Sequence, residues 1–403
     1  MTNSQNRTIW ILILSSSLIL AITMGVRQSL GLFIAPINSS TSLDIVSISL
    51  ALAIGQFIWG LTQPIFGAIA DKKGSFGVLV FGALLMFFGL ILTPFLTSEF
   101  SIILTLGLLV AAGAGAGSFS ILIGATAKNL PNEKRSFAGG FINAGGSFGQ
   151  FIFAPLAQAI INGFGWIYSM IALAFSTLLT IPLAKILSSK SKKEETNLTN
   201  VIENDIKLKE QLKVALKDKS YLYLNLGFFT CGFHVAFLVT HLPHEVALCG
   251  HSANVSAYSL ALIGLFNIFG SLYAGYLGTK YKMKYILAFI YSSRALMIII
   301  YLLSPKTELT FYIFSIAIGF TWLATVPPTA GIVGKLFGTK YLATLFGLTL
   351  LSHQIGGFFG AYLGGLFINS YGNFSLMWYL DIALAIVAAL ANLPIKEAKI
   401  NKN

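Results

Sequence analysis

Twelve apolar runs, each near or beyond the length at which a helix crosses a membrane, constrain this chain more than any other feature. A helix needs about 20 mainly apolar residues to span the hydrocarbon core. None of the runs shows the apolar–polar alternation of a barrel strand, so only helices can satisfy the backbone within lipid. The sequence predicts an all-α membrane protein with twelve transmembrane helices, near residues 9–37, 44–70, 74–97, 101–128, 136–162, 166–188, 220–242, 254–279, 284–304, 309–334, 341–369 and 375–394.

The composition agrees with a membrane protein and excludes several other classes. Of 403 residues, 56% are hydrophobic and 10% charged, whereas soluble domains carry about 25% charged residues. The formal net charge of +12 comes from short clusters between apolar runs and not from a basic stripe, so we expect no nucleic-acid partner. Cys231 and Cys249 are too few for a disulfide framework or a metal site. The first run is too long for a cleaved signal peptide, and we interpret it as an uncleaved span.

The basic residues predict the orientation of the chain. Most of the lysines and arginines lie in every second loop. The loops between these contain Asp44, Glu99, Glu245 and Glu308 with one cation, Lys306. The positive-inside rule therefore predicts that both termini are cytoplasmic, in a cell membrane that we take to be the bacterial inner membrane. The cations that this orientation places in the cytoplasm are Lys72, Lys73, Lys128, Lys134, Arg135, Lys280, Lys282, Lys284, Lys335, Lys340, Lys396, Lys399 and Lys402.

A long charged stretch near the middle of the chain divides the spans into six and six. It predicts an N-terminal half at 1–188, a cytoplasmic linker at 189–219 and a C-terminal half at 220–403. Apolar residues in the second part of the linker indicate an amphipathic helix on the membrane surface. Two like halves with a substrate site between them are the arrangement that transporters use for alternating access.

The loop after the second span carries a recognisable motif. The stretch GAIADKKG begins at Gly67, places an acid at Asp71 and ends at Gly74. It resembles the signature between helices 2 and 3 of the major facilitator superfamily. The corresponding second-half stretch, GYLGTKYK from Gly275, has Thr279 in place of the acid. The resemblance implies the major facilitator fold of two six-helix halves, with Gly67, Asp71 and Gly74 in gating and Gly67 at a close helix contact.

The resemblance covers nearly the whole chain and is nearest to bacterial relatives of the monocarboxylate transporters. Segments that carry it include VRQSLGLFIAPI from Val26, FINAGGSFGQFIFAPLAQ from Phe141 and SHQIGGFFGAYLGG from Ser352. It implies a secondary transporter of a small organic anion, driven by protons or by exchange, with no cofactor and acting as a monomer. The eighth span has Asn267 and Ser271 where the eukaryotic pattern has an Asp and an Arg, which puts symport by that pair in doubt.

Arg27 is the main candidate for binding the substrate. It lies eighteen residues after Ile9, about 27 Å along a helix, which is too deep for its charge to reach water easily. The spans of the first half contain no acid except Asp71, at a helix end. An arginine in that setting should face a cavity or a partner, and the family has a substrate-linked basic residue in this helix. The alternative is a structural clamp on Asp381 or on backbone carbonyls.

Other polar residues within the spans are weaker candidates. Buried histidines can exchange protons near neutral pH, but they can equally bridge helices. Arg294 and Asp381 suggest an intramembrane charge network, more structural than substrate-binding. The remaining candidates for lining a substrate site are Gln28, Asn143, Gln150, His234, His241, Asn267, His353 and Gln354.

Two other function classes compete with anion transport. An exporter of drugs or siderophores would have the same fold, although the first half lacks the acidic residues that cationic cargo favours. A membrane enzyme or sensor would need clustered histidines and acids at one face, and the irregular set of His241, His244, His251 and Glu245 is the nearest approach. Gly113, Gly115 and Gly117 are followed by no lysine and predict helix packing, not phosphate binding. We therefore expect no enzyme and no metal site.

Overall fold

The computed structural model describes residues 3–96, 98–127, 132–188, 208–338 and 342–397. Within these ranges the secondary structure is helical and no strand occurs. The predicted all-α membrane fold is therefore confirmed. The first part of the predicted linker, residues 189–207, lies outside the described residues, so the domain boundaries stay a prediction.

The helices follow the twelve predicted runs with boundaries shifted by a few residues. The first six spans are Asn3–Gln28 continued by Ile34–Ser40; Ile45–Lys73; Ser75–Leu92; Glu99–Ile102 continued by Ala111–Ala116 and Phe119–Ala127; Asn132–Phe164; and Trp166–Leu178 continued by Thr180–Ser188. The last six are Lys219–Leu248; Ala253–Lys280; Met283–Leu303; Glu308–Thr321 continued by Val326–Phe337; Leu342–Tyr371; and Ser375–Asn392. The helix Leu208–Lys217 precedes the seventh span.

Eleven of these stretches, counted over the described ranges, are long and apolar enough to cross a membrane. The eleventh span, Leu342–Tyr371, is the one that falls outside this set although it has 30 residues. It carries His353, Gln354 and several glycines, and these lower its hydropathy. Its length and its packing against the seventh span nevertheless place it among the spanning helices.

Like the first and sixth spans, the fourth and tenth spans are interrupted along their length. In the fourth span a π-helical segment, Ile103–Val110, precedes a break at Gly117 and Ser118. In the tenth span the first segment ends at Thr321, and the second begins at Val326 with prolines in its first turn. Proline fits the first turn of a helix and can therefore begin the second segment. Because proline has no backbone N–H, it donates no hydrogen bond to the carbonyl groups of the first segment. Carbonyl groups at the end of the first segment are left available for other donors.

Glycines bring neighbouring spans into backbone contact. In the first half, a Cβ at Gly149 would collide with the carbonyl group of Ala21 on the first span. In the second half, Gly356 lies equally close to the carbonyl group of Phe229, which joins the eleventh span to the seventh. Small residues allow this approach, which replaces the hydrophobic effect as the source of packing energy in lipid.

Among the described residues, glycines bring three pairs of spans from the two groups of six into contact. The first and seventh spans touch where Gly31 packs on the backbone of Val239 and Thr240. The second and eleventh spans touch where the side chain of Gln354 lies against Gly60. The fifth and eighth spans also meet, because a Cβ at Gly264 would lie 2.7 Å from the carbonyl oxygen of Ser147. A site between the groups is therefore bounded by these pairs.

The loop motif after the second span has one clear backbone requirement. Gly74 ends the helix with φ +90°, a conformation that favours glycine. Gly67, by contrast, has no described atom within 4 Å of the position of a Cβ. The close helix contact expected at Gly67 is therefore absent in this conformation. The gating assignment of Asp71, whose side chain lies outside the described part, stays a prediction.

Candidate functional site

Arg27 lies at the end of the long first helix, where the chain turns through the 3₁₀ segment Leu30–Phe33. Its half-buried guanidinium donates a hydrogen bond to Oε1 of Gln56 and lies 4.0 Å from the ring centroid of Trp59. Both partners come from the second span and neither carries a charge. No ion pair joins Arg27 to a carboxylate of the described residues. The positive charge of Arg27 is thus held in place without being neutralised.

A small cavity adjoins Arg27 between the two groups of spans. Its volume is about 20 Å³, enough for one water molecule but not for an organic anion. In this conformation the chain is closed around the guanidinium, and a ligand would require the helices to separate. The cavity is lined by Arg27, Leu30, Gly31, Leu52, Gly55, Gln56, Leu106, Val110, Ala111, Val239 and Thr240.

Asp381 does not pair with Arg27. Its Oδ2 lies 2.5 Å from Nδ1 of His234, and the two side chains are 0% and 1% exposed. The clamp between Arg27 and Asp381 that the sequence left open is therefore not formed, because the seventh and twelfth spans bring His234 to the carboxylate. The outer atoms of the pair, Nε2 of His234 and Oδ1 of Asp381, have no hydrogen-bond partner.

Arg294 is fully buried and binds backbone carbonyls. One guanidinium nitrogen donates to the carbonyl oxygens of Thr321 and Trp322, the latter at 2.6 Å. These carbonyls belong to the break in the tenth span, where no helical donor reaches them. The guanidinium also lies 5.4 Å from the ring of Tyr291. Arg294 and Asp381, both described, form no direct ion pair within 4.0 Å.

His241 bridges two helices. Its Nε2 donates a hydrogen bond of 2.7 Å to the carbonyl oxygen of Ala361 on the eleventh span. Its ring packs against Phe237 and Phe374, and Nδ1 has no partner. His241 does not line the cavity beside Arg27.

The remaining candidates from the second half are mostly engaged in helix contacts. Asn267 donates to Oγ of Ser147 at 2.9 Å and accepts from the backbone N–H of Leu323 at 3.0 Å. His353 and Gln354 share a hydrogen bond of 3.1 Å between Nδ1 and Nε2. Asn267 thus ties the fifth, eighth and tenth spans together. His353 packs against Gly232 and Phe228 of the seventh span, while Gln354 lies at the contact of the second and eleventh spans.

The amide candidates of the first half remain available to a ligand. Gln150 is 1% exposed, and neither atom of its amide has a partner. The Oε1 of Gln28 is similarly buried without a partner. Asn143 is half-buried about two helical turns before Gln150, on the fifth span. Buried polar atoms without partners are unfavourable, so Gln28 and Gln150 would gain from a bound polar group.

The cluster considered for an enzyme is engaged in separate contacts. Glu245 accepts hydrogen bonds from the hydroxyl of Tyr301 at 2.7 Å and from Nε1 of Trp378 at 3.3 Å. His251 bonds the carbonyl oxygen of Lys306 at 2.6 Å. Among the described residues, no group of three potential ligands could hold a metal ion.

Three residues of the candidate sites escaped the sequence analysis. Gln56 and Trp59 are neutral, and polar or aromatic residues of this kind occur in many membrane spans. Their three-residue spacing places them on one helix face, which was the available signal. Trp322, which connects Arg294 to His234 through its carbonyl and its ring, was missed for the same reason.

Comparisons with known proteins agree with the fold. The sequence model described as Major Facilitator Superfamily matches residues 16–361. Monocarboxylate transporter 13 of Rattus norvegicus is 24% identical over 374 residues, covering 91% of this chain and 84% of the relative. The oxalate:formate antiporter of Oxalobacter formigenes is 23% identical over 369 residues, covering 90% and 86%.

Solved structures share the architecture at low sequence identity. A bacterial homolog of the human lysosomal transporter Spinster, inward-facing and unoccupied, aligns with a TM-score of 0.70 at 15% identity, covering 96% of this chain and 95% of that one. A D-xylose–proton symporter aligns with a TM-score of 0.71 at 14% identity, covering 96% and 98%. At this identity the structures show the fold alone.

Proposed function

This chain belongs to the Major Facilitator Superfamily, and we propose that it is a secondary active transporter of small, monocarboxylate-like anions. As a member of that family it is a multi-pass membrane transporter of a small molecule and not an enzyme. The proposal adds the chemical class of the cargo and the residue that binds it. Arg27 is that residue, and alternating access of two six-helix halves carries the cargo across.

The observation that carries the proposal is the unneutralised charge of Arg27 beside a cavity between the halves. A guanidinium can hold a carboxylate through two parallel hydrogen bonds. Gln56 and Trp59 occupy one side of the guanidinium, which fixes its orientation. An anion that entered from the cavity would supply the missing opposite charge. The unpartnered Nε2 of Gln150 offers a further donor on the same half, and the unpartnered Oε1 of Gln28 offers an acceptor.

Two of the relatives support an anionic cargo. One is named for monocarboxylates and the other for oxalate and formate, and both cover most of this chain. The cationic environment of Arg27 fits either kind of anion.

The membrane arrangement is part of the same proposal. We place both termini in the cytoplasm of a bacterial inner membrane, on the evidence of the lysine and arginine distribution. Asp71 then lies at the cytoplasmic gate with Gly67 and Gly74. The protein acts as a monomer, because each chain contains both halves.

A ligand screen on the purified full-length protein tests the proposed cargo. A ligand that binds only the folded state raises its apparent stability. The panel contains formate, acetate, lactate, oxalate, succinate and citrate as anions, D-xylose as a neutral solute and choline as a cation. We expect the melting temperature to rise with one or more of the small carboxylates, further at each higher ligand concentration, and not with choline. A rise with choline or D-xylose alone would contradict the proposal.

A further inference from the structure

The His234–Asp381 pair presents a vacant proton acceptor in the interior of the second half. A carboxylate only accepts hydrogen bonds, so the 2.5 Å contact places the hydrogen on Nδ1 of His234. Neutral histidine then has a lone pair on Nε2, and that atom has no partner. Because the two side chains are 1% and 0% exposed, water reaches neither in this conformation. The lone pair can bind a proton when another conformation admits water.

The charges around the pair favour binding a proton together with an anion. Arg294 and Asp381 carry opposite charges, so the cluster is neutral while His234 is neutral. One added proton gives it a net positive charge, and a net charge within a membrane is unfavourable. An anion bound at Arg27 would add a negative charge to the same membrane-embedded region. Loading both together leaves the total charge unchanged, whereas loading either one alone does not.

Few other titratable groups approach the pair. On the same helix Cys231 lies one turn away, with its Sγ 3.2 Å from Oγ1 of Thr325 in the tenth span. The ninth span contributes Arg294 and Tyr291, and the eleventh contributes His353, whose backbone lies against Gly232. The tenth span faces His234 with the uncharged ring of Trp322 at 6.0 Å. Of these groups, only His234 has a carboxylate partner.

We propose that His234 and Asp381 form the proton-binding site of this transporter. The proton adds to Nε2 of His234, and the resulting imidazolium stays hydrogen-bonded to Asp381. The assignment of the proton as the co-transported ion rests on the transport function proposed above, while proton binding by the pair does not. The site is separate from the Asp and Arg pair of the eighth span that this chain lacks.

Proton binding at this place would act on the break in the tenth span. Protonated Nε2 becomes a donor, and no described acceptor lies beside it, so the protonated form favours a rearranged surrounding. Trp322 packs its ring on His234 and gives its carbonyl to Arg294. A shift of the His234 ring would therefore move Trp322, which lies at the junction between Glu308–Thr321 and Val326–Phe337.

Infrared difference spectra test proton binding without a ligand. Spectra of the purified full-length protein are recorded between alkaline and acidic buffer. We expect imidazole and carboxylate bands that disappear in both His234→Gln and Asp381→Asn. The matched control is His241→Gln, a buried histidine on the same helix that bonds a carbonyl and has no acid partner; its spectrum should retain the bands. If a variant fails to fold, Asp381→Glu keeps a carboxyl group and should retain shifted bands. Other acids and histidines of the chain also give bands, so the result that would overturn the proposal is that neither pair variant loses any imidazole or carboxylate band of the wild type.

Transport of radiolabelled lactate in proteoliposomes tests the coupling. Uptake driven by a pH gradient requires a proton to be bound and released, whereas counterflow exchanges lactate without net proton movement. His234→Gln and Asp381→Asn should lose the driven uptake and keep counterflow, while His241→Gln should keep the ratio of the two. Counterflow in wild-type protein without driven uptake, or driven uptake retained in both pair variants, would overturn proton coupling and leave the anion transport standing. Lactate movement in neither assay would contradict the cargo instead, and the infrared result alone would then decide the proton site.

Discussion

At the scale of single residues, Arg27 and Arg294 differ in what surrounds their charge. Arg294 donates hydrogen bonds to the carbonyl oxygens of Thr321 and Trp322. Removing its side chain would leave these oxygens, at the break in the tenth span, without that donor. Arg27 bonds a neutral amide and stacks on an indole. The first arrangement completes the fold, whereas the second leaves a charge that a ligand can use.

Arg294→Gln should destabilise the protein without altering ligand affinity directly. Hydrogen bonds to charged groups contribute about 1.5–3 kcal/mol each, so we expect a loss of about 2–4 kcal/mol in the free energy of unfolding. Arg294→Lys should recover part of this loss, because an ammonium group can reach one carbonyl. Thermal melting in detergent measures both variants. A melting temperature equal to that of the wild type in Arg294→Gln would contradict the structural role.

Asp71→Asn should lower the transport rate while leaving the ligand dissociation constant within about threefold, a change of under 1 kcal/mol. The reason is the predicted position of Asp71 at the cytoplasmic gate, away from the cavity beside Arg27. Asp44→Asn is the matched control, because Asp44 caps the other end of the same span and asparagine caps equally well. Rate and affinity are measured in proteoliposomes and in detergent. Weaker binding with a normal maximal rate in Asp71→Asn would exclude gating.

At the scale of elements, hydropathy predicted where the spans lie but not where they break. The twelve runs give the length of each helix, and their boundaries agree with the structure within a few residues. The breaks at Gly117 and after Thr321 depend on which donors and acceptors remain unpaired. Apolar composition carries no information on those hydrogen bonds. Only the prolines that follow Val326 marked the second break in the sequence.

The close helix contacts at glycine residues lead to a prediction about the stability of the protein. Gly356→Ala places a Cβ against the carbonyl group of Phe229 and should destabilise the contact of the seventh and eleventh spans by about 1–3 kcal/mol, as overpacking does. Gly347→Ala on the same helix meets no described atom within 4 Å. It should be neutral or stabilising by up to about 1 kcal/mol, because alanine favours helices. Equal melting temperatures for the two variants would show that the contact is unimportant.

At the scale of the whole molecule, the residues that form the site come from distant parts of the chain. His234 and Asp381 are 147 positions apart, and no spacing rule pairs them. The sequence identified both as candidates because polar groups in lipid are costly, but it offered Asp381 as a partner for Arg27. Arg27 itself could be predicted as a site residue, because it lies far along the first span and the spans of the first half offer no nearby acidic residue to pair with it. Its neutral partners Gln56 and Trp59 could not, since they carry no charge that needs an explanation.

Alternating access requires the contact between the first and seventh spans to open. Gly31 packs on Val239 and Thr240 at the end of the cavity that we place towards the outside. The indole ring introduced by Gly31→Trp would prevent this contact from closing. The substitution should therefore abolish transport and leave Thr240 exposed. With Cys231 and Cys249 replaced by serine, Thr240→Cys is labelled by a maleimide that does not cross membranes. We expect faster labelling with Gly31→Trp than with native Gly31. Equal labelling rates would contradict closure at this point.

Binding of a small carboxylate to Arg27→Gln protein shows whether Arg27 holds the cargo. The ligand is the carboxylate that most raises the melting temperature of the wild type, and Lys306→Gln is the control, since it removes the same charge from a side chain that bonds carbonyls outside the cavity. We expect the dissociation constant to rise at least about tenfold in Arg27→Gln, because the lost hydrogen bonds contribute about 1.5–3 kcal/mol each. Arg27→Lys should keep part of the affinity. An unchanged dissociation constant in folded Arg27→Gln protein would contradict the account.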